Sequence, residues 1–344
     1  LAKGYFDALH TNTLWISPIT QNPEDAWGLW NQGGPVSTFS GYHGYWPISN
    51  IKPDHRFASP EELHLFLDDA HANEKNVLLD YVANHVHELH PVFQKHPNWA
   101  TNKYTADGRL NTQLWDEERL TTWFDTFMPT LELRNDTVAE LMSDSALVWI
   151  TEYDFDGFRH DATKHIPMNF TRLLTQKIRA ASEDHVYQIG ETYGSDELIA
   201  SYVGSGKVDA QFNFNLYDAA FEAFTQEGAT FDRLRKALES SLTYYGHHHL
   251  MGNISGNQDK PRFSSMASGH LSMSEDSKLA GWTREIPEPT ERGYRKMAAM
   301  HAFNIAVPGI PILLWRRDCP SRRKRSGQQK DDAVQLFRSP AAAL

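Results

Sequence analysis

Apolar positions follow two rhythms along this chain. Short runs rich in β-branched and aromatic residues occur at Thr13–Ile19, Val77–Val82, Gly157–Asp161, Val186–Glu191, Ala210–Leu216, His249–Ile254 and Ile310–Leu314, and each reads as a buried strand. Between them apolar residues recur every three or four positions, which predicts helices over Val138–Ile150, Phe170–Ala181 and Phe231–Tyr244. The best-marked helix starts after Ser59. That residue is the N-cap, Pro60 suits the first helical position, and Glu62 completes a capping box ahead of Leu63, Phe66, Leu67 and Ala70. Buried strands alternating with helices predict an α/β fold with a parallel sheet. Seven strands, with Leu1–Leu9 as the end of a preceding helix, predict a (β/α)8 TIM barrel that lacks its first strand and last helix.

One interval breaks the alternation. From His85 to Arg134 the chain carries Pro, Asn, Asp and Trp without clean periodicity, and fifty such residues inside a domain predict a functional insertion or small subdomain. The expected organisation is barrel strands two and three in residues 1–85, an inserted subdomain in 86–134, and strands four to eight in 135–312.

Composition narrows the function. The chain has 344 residues, 33 Lys and Arg against 44 Asp and Glu, and a net charge of −11. That balance argues against a nucleic-acid partner, which needs clustered cations, and permits a neutral substrate such as a sugar. No apolar run approaches the length of a membrane span. The lone Cys319 excludes a disulfide framework, and Leu1–Leu9 has no secretory pattern. Residues 313–344 differ from the rest, with eight Lys and Arg against three Asp and Glu.

In a barrel of this kind the active site gathers at the carboxyl ends of the strands. VLLDYVANH ends in Asp80, Asn84 and His85; GFRHDATKH carries Arg159, Asp161, Lys164 and His165; YQIGE ends on Glu191; ISGNQD ends on Asn257, Gln258 and Asp259. Glycoside cleavage with retention needs two carboxyls about 5–5.5 Å apart, one ionised and one protonated. Arg159 shares a strand face with Asp161 and favours its ionised form, as a nucleophile requires. Glu191 ends an apolar strand, where desolvation raises its pKa, as an acid requires. Asp259 is a third carboxylate, placed to bind sugar hydroxyls and to stabilise oxocarbenium charge. His247–His249 alternate faces on a strand and read as solvated surface. Core packing is the default for Trp27, Trp30, Trp99, Trp115 and Trp123, although a Trp-rich insertion beside a cleft suits sugar stacking.

These segments resemble the α-amylase family of glycoside hydrolases. DYVANH is similar to its strand-3 motif, GFRHDATKH to the strand-4 motif, GE to the strand-5 acid, NQD to the strand-7 motif, GYHGYWP to the strand-2 loop and MPTLEL to the segment closing inserted domain B. The resemblance implies Asp161 as nucleophile, Glu191 as acid/base and Asp259 as transition-state stabiliser. It implies Tyr45 as an aromatic platform beside His43 and Trp46, with Arg159, His85, Asp80, Lys164, His165, Asn257 and Gln258 completing the sugar site. It also implies a calcium ion held by Asn84, Glu132 and the His165 carbonyl, and no organic cofactor. Gln258 departs from the family's histidine and cannot carry charge. The activity implied is hydrolysis of α-1,4-glucosidic bonds in starch or maltodextrins. The alternatives are a cyclomaltodextrinase, neopullulanase or transglycosylase with the same site, or a non-catalytic barrel serving as a binding or scaffold subunit. An extracellular, periplasmic or cell-surface location ranks ahead of the cytoplasm.

The family continues strand 8 with a motif like YYGDEI, whereas here LLWRRD follows Ile312. A single-base shift near Leu313 is compatible with YYGDEIALPGGNAPDNRRMMRF, which is similar to the family's strand-8 loop. Residues 313–344 are therefore expected to be out-of-frame, irregular, poorly packed and exposed.

Overall fold

Buried runs too short to stand alone must pair, and here eight of them join one sheet. The computed structural model describes residues 4–30, 36–315 and 334–337, the backbone alone at 30, 37, 315 and 334–337. The strands are β1 (Thr13–Ile16), β2 (Ala26–Trp30), β3 (Ser37–Ser40), β4 (Asn76–Tyr81), β5 (Gly157–His160), β6 (Tyr187–Gly190), β7 (Ala210–Gln211), β8 (Gly252–Ile254), β9 (Ile310–Trp315) and β10 (Val334–Phe337). The main sheet runs β7-β6-β5-β4-β1-β10-β9-β8. A parallel bridge between Phe212 and Gly252 joins its two ends and closes the barrel.

All seven expected strands are present, most of them shorter than the apolar runs. Ala210–Leu216 overshoots: the strand stops at Gln211, and Asn213 caps a helix over Phe214–Thr225, its Oδ1 accepting from the Leu216 amide at 3.4 Å. The β2–β3 hairpin was not anticipated. The expected helices span Pro60–Ala72, Asp136–Thr151, Met168–Ala181 and Asp232–Tyr245. At the first, Ser59 Oγ accepts from the Glu62 amide at 3.2 Å and Glu62 returns the bond to Ser59 N at 2.8 Å.

No strand precedes β1 among the described residues, and β10 lies between β1 and β9, antiparallel to both. The expectation that everything after Ile312 is irregular needs correction, since Leu313–Trp315 continue β9 and Val334–Phe337 form β10. Without β10 the facing edges of β1 and β9 would be rows of unpaired amides and carbonyls, which accept any extended segment in reach. The remainder of the tail lies outside the described residues.

Apolar burial divides between two clusters. One packs Trp149, Phe158, Phe170, Leu67 and Val77 between β4, β5 and their helices. The other packs Phe212, Ile189, Ile254, Ile312 and Met300 around β6 to β9. Each such side chain contributes about 1.5–3 kcal/mol by leaving water. The insertion is anchored to the barrel by a bridge from His85 to Thr130, and a bridge from Ala100 to Leu131 ties it internally.

Candidate active site

Strand register brings the strand-end charges together. β4 and β5 pair with Asp80 opposite Arg159, and side chains two apart share a face, so Arg159 and Asp161 both point to the barrel axis. Arg159 Nη1 lies 2.8 Å from Asp80 Oδ1 and 2.7 Å from Asp161 Oδ1, while Nη2 lies 2.8 Å from Glu191 Oε1. Three carboxylates from three strands thus converge on one guanidinium that is 1% exposed. With every carboxyl ionised the cluster would carry an excess of two negative charges, so each carboxyl raises the affinity of the others for a proton.

Burial raises the pKa of Glu191; the Asp161 charge raises it further, and Arg159 opposes both. Asp161 is also raised by burial, with Arg159 pulling it down. Asp80 is pushed up to about 7 by burial, against the pull of Arg159 and with the charges of Asp161 and Glu191 adding to the rise.

Local backbone aims Glu191. A Cβ on Gly190 would come within 2.4 Å of Gln211 Nε2 and 2.7 Å of Thr163 Oγ1, so only glycine lets β6 end so close to its neighbours. Opposite it, Ala162 takes φ 48°, a left-handed conformation that costs a non-glycine residue about 1 kcal/mol or more. That turn directs the Ala162 amide to Glu191 Oε2 at 3.3 Å.

Asp80 receives further donors. Tyr45 OH donates to Oδ2 at 2.8 Å and Trp15 Nε1 donates to it at 3.2 Å. Gln258 Nε2 donates in turn to the Tyr45 hydroxyl at 2.7 Å. The Tyr45 ring is half-buried with the Arg159 guanidinium 5.9 Å from its centroid, and His43 stacks beside it at 5.7 Å. Trp15 and Phe212, stacked on each other at 5.2 Å, both lie near the same guanidinium, at 5.2 and 6.0 Å. Asp259 is exposed at the rim, near enough for its charge to raise Asp161. Crowding around its own carboxyl, then the Glu191 charge, raises its pKa as well.

The insertion supplies one wall. Phe124 stacks on His85 at 4.3 Å and meets Trp115 edge-on at 4.8 Å, and both pack against His165. His165 Nδ1 bonds the Arg119 carbonyl at 2.6 Å, Arg119 reaches Tyr202 OH at 2.8 Å and bonds the Lys164 carbonyl, and Lys164 pairs with Asp116. Burial lowers the pKa of His43, His85 and His165 to about 4, so these rings are neutral hydrogen-bonding groups near neutrality. His247 and His248 are exposed, in keeping with solvated surface, whereas His249 is half-buried and its Nδ1 accepts from the Met251 amide at 3.2 Å.

Two side chains expected at the sugar do not join this cluster. Trp46 is buried behind His43 among Phe39 and Phe127, where aromatic packing outweighs exposure to a ligand. Asn257 is buried, and its Oδ1 accepts from the Asp259 amide at 3.0 Å, so it shapes the turn that presents Asp259. Trp15, Phe212 and Phe124 were not foreseen. Trp15 follows from alternation along β1, since it faces opposite to Leu14. Phe124 lies in aperiodic sequence and left no signal.

Two of the expected calcium ligands can be described by their contacts. Asn84 offers a buried Oδ1 without a hydrogen-bond partner, as a ligand atom would be. The Glu132 carboxylate, however, is held by Arg134 through Nε at 2.6 Å and Nη2 at 2.5 Å. Among the described residues no group of three His, Cys, Asp or Glu side chains could hold an ion. As arranged, the Asn84 oxygen is free to act as a ligand and the Glu132 carboxylate is engaged by Arg134.

Residues 4–282 match the family model for the alpha-amylase catalytic domain. Alpha-amylase 2 of Schizosaccharomyces pombe is 27% identical over 277 residues, covering 76% of this chain and 44% of that protein. The cyclomaltodextrinase of Geobacillus thermopakistaniensis is 28% identical over 246 residues, covering 69% and 41%. The chain therefore spans less than half the length of these curated relatives. Among solved structures, the acarbose complex of the Geobacillus thermoleovorans alpha-amylase superposes with a TM-score of 0.71 at 24% identity, over 90% of this chain and 61% of that one, a likeness of fold.

Proposed function

Since the chain belongs to the alpha-amylase family of glycoside hydrolases, we propose that its site cleaves α-1,4-glucosidic bonds of starch or maltodextrins with retention. The observation that carries this reading is the pairing of Asp161 and Glu191 with adjacent nitrogens of one guanidinium. Asp161 attacks the anomeric carbon while Glu191 gives its proton to the glycosidic oxygen, and the leaving sugar departs as an alcohol. Glu191, now ionised, takes a proton from water, which attacks the glycosyl-Asp161 ester and frees the second sugar. Asp259 faces the oxocarbenium charge from the rim. Tyr45 is the platform under the ring, while neutral His43, His85 and His165 with Lys164 bind hydroxyls. The wall of Phe124 and Trp115 lines the approach.

Reducing-sugar release from soluble starch tests the reading, with Asp161→Asn and Glu191→Gln each expected to abolish it in a folded protein. Wild-type turnover in either variant would sink it. The similarity to a cyclomaltodextrinase motivates a second reading with the same chemistry on cyclic or branched glucans. Product analysis on amylose, cyclodextrin and pullulan separates the two.

A further inference from the structure

A proton retained by the Arg159 cluster is useful only on Glu191, yet Asp80 competes for it. Asp80 is 1% exposed and, like Glu191, sits on Arg159 with a like-charged neighbour in Asp161. Asp80 accepts from three donors on three other elements: Arg159 Nη1 on one oxygen, and Tyr45 OH with Trp15 Nε1 on the other. A carboxyl surrounded by donors is favoured as the anion, because a proton of its own would find nothing to accept it.

The Tyr45 donor is conditional, since a hydroxyl rotates and can accept instead. Gln258 removes that freedom. Its Nε2 can only donate, and it donates to the Tyr45 oxygen at 2.7 Å, which leaves the single hydroxyl proton for Asp80 at 2.8 Å. A donated bond also polarises the hydroxyl and strengthens the one it makes.

We propose that Gln258 is a positioning residue which, through the Tyr45 hydroxyl, weakens the hold of Asp80 on the cluster's proton and so favours that proton on Glu191. The proposal rests on Glu191 acting as the general acid. The other charged and titratable groups facing Asp80, Glu191 and Tyr45 are Arg159, Asp161 and Asp259, with His43 and His85 beside Tyr45. Both histidines are neutral near neutrality, so they do not follow the same titration.

The test compares the pH dependence of kcat/KM on a soluble maltodextrin in wild type, Gln258→Met, Tyr45→Phe and the double variant. Met keeps the length of Gln and removes the donor. With its donors removed, Asp80 takes the proton at higher pH and Glu191 loses it at lower pH. The basic limb should therefore move to lower pH, by about half a unit in Gln258→Met. It should move at least as far in Tyr45→Phe and no further in the double variant. Thermal midpoints confirm that each variant is folded, and Gln258→Asn, which keeps a shorter donor, should restore part of the shift. A loss of kcat/KM with the basic limb unmoved would overturn the proposal, as would additive shifts in the double variant. Failure of the underlying reading is distinguishable, because Glu191→Gln would then keep its activity.

Discussion

Arg159 and Glu191 meet at 2.8 Å in the centre of the barrel, where the guanidinium is almost fully buried and the carboxylate is 17% exposed. The anchor lies deep, and the carboxylate proposed to reach substrate is the more exposed of the two. The same guanidinium carries Asp80 beneath and Asp161 beside it, so its loss would strand three carboxyls together.

Arg159→Gln should accordingly fail in two ways. Urea unfolding should show a loss of about 3–5 kcal/mol, since breaking a buried pair leaves uncompensated charge. Starch hydrolysis should fall about a hundredfold or more, because the carboxyls take up protons and Asp161 is no longer a nucleophile. A variant with wild-type stability would show that the cluster is not assembled as described.

The proposed mechanism needs Asp161 ionised and Glu191 protonated, and burial raises the pKa of both. The activity profile should therefore lie above the range of ordinary carboxylates, with its basic limb set by Glu191. Asp80 has a raised folded pKa, so the stability linked to it is fully present below the unfolded value of 3.8 and lost as pH rises through about 7. Thermal midpoints should decline over that window in wild type and less steeply in Asp80→Asn. Equal slopes would show that Asp80 does not titrate there.

Arg134 occupies Glu132, so chelation should leave the thermal midpoint of the wild-type chain unchanged. Arg134→Ala frees the Glu132 carboxylate, the Asn84 oxygen being already unpartnered, and added calcium should then raise the midpoint of that variant alone. A chelator-sensitive wild type would instead establish the calcium site implied by the family resemblance.

Truncation after Trp315 removes β10 and exposes the edges of β1 and β9. The shortened chain should melt at lower temperature and aggregate more readily, measured by scanning fluorimetry and light scattering. Resequencing the gene around the Leu313 codon decides the reading frame: one intact frame encoding residues 313–344 as written ends the frameshift expectation.

Local sequence was enough for the barrel strands, the capped helix after Ser59 and the set of strand-end carboxyls, because those depend on periodicity and on chemistry confined to a few adjacent residues. Arg159 beside Asp161 was legible for the same reason, since two residues apart on a strand means one face. Tertiary structure alone decided that Arg159 also holds Asp80 and Glu191, that Gln258 turns the Tyr45 hydroxyl toward Asp80, and that Phe124 covers His85. Those contacts join residues 32 to 213 positions apart in one of the closest cases and the farthest. Their partners are selected by strand register, barrel closure and the docking of an aperiodic insertion, none of which leaves a local pattern. The place of β10 in the barrel is the extreme case, because a segment fills an open sheet edge through backbone hydrogen bonds that carry almost no side-chain signature.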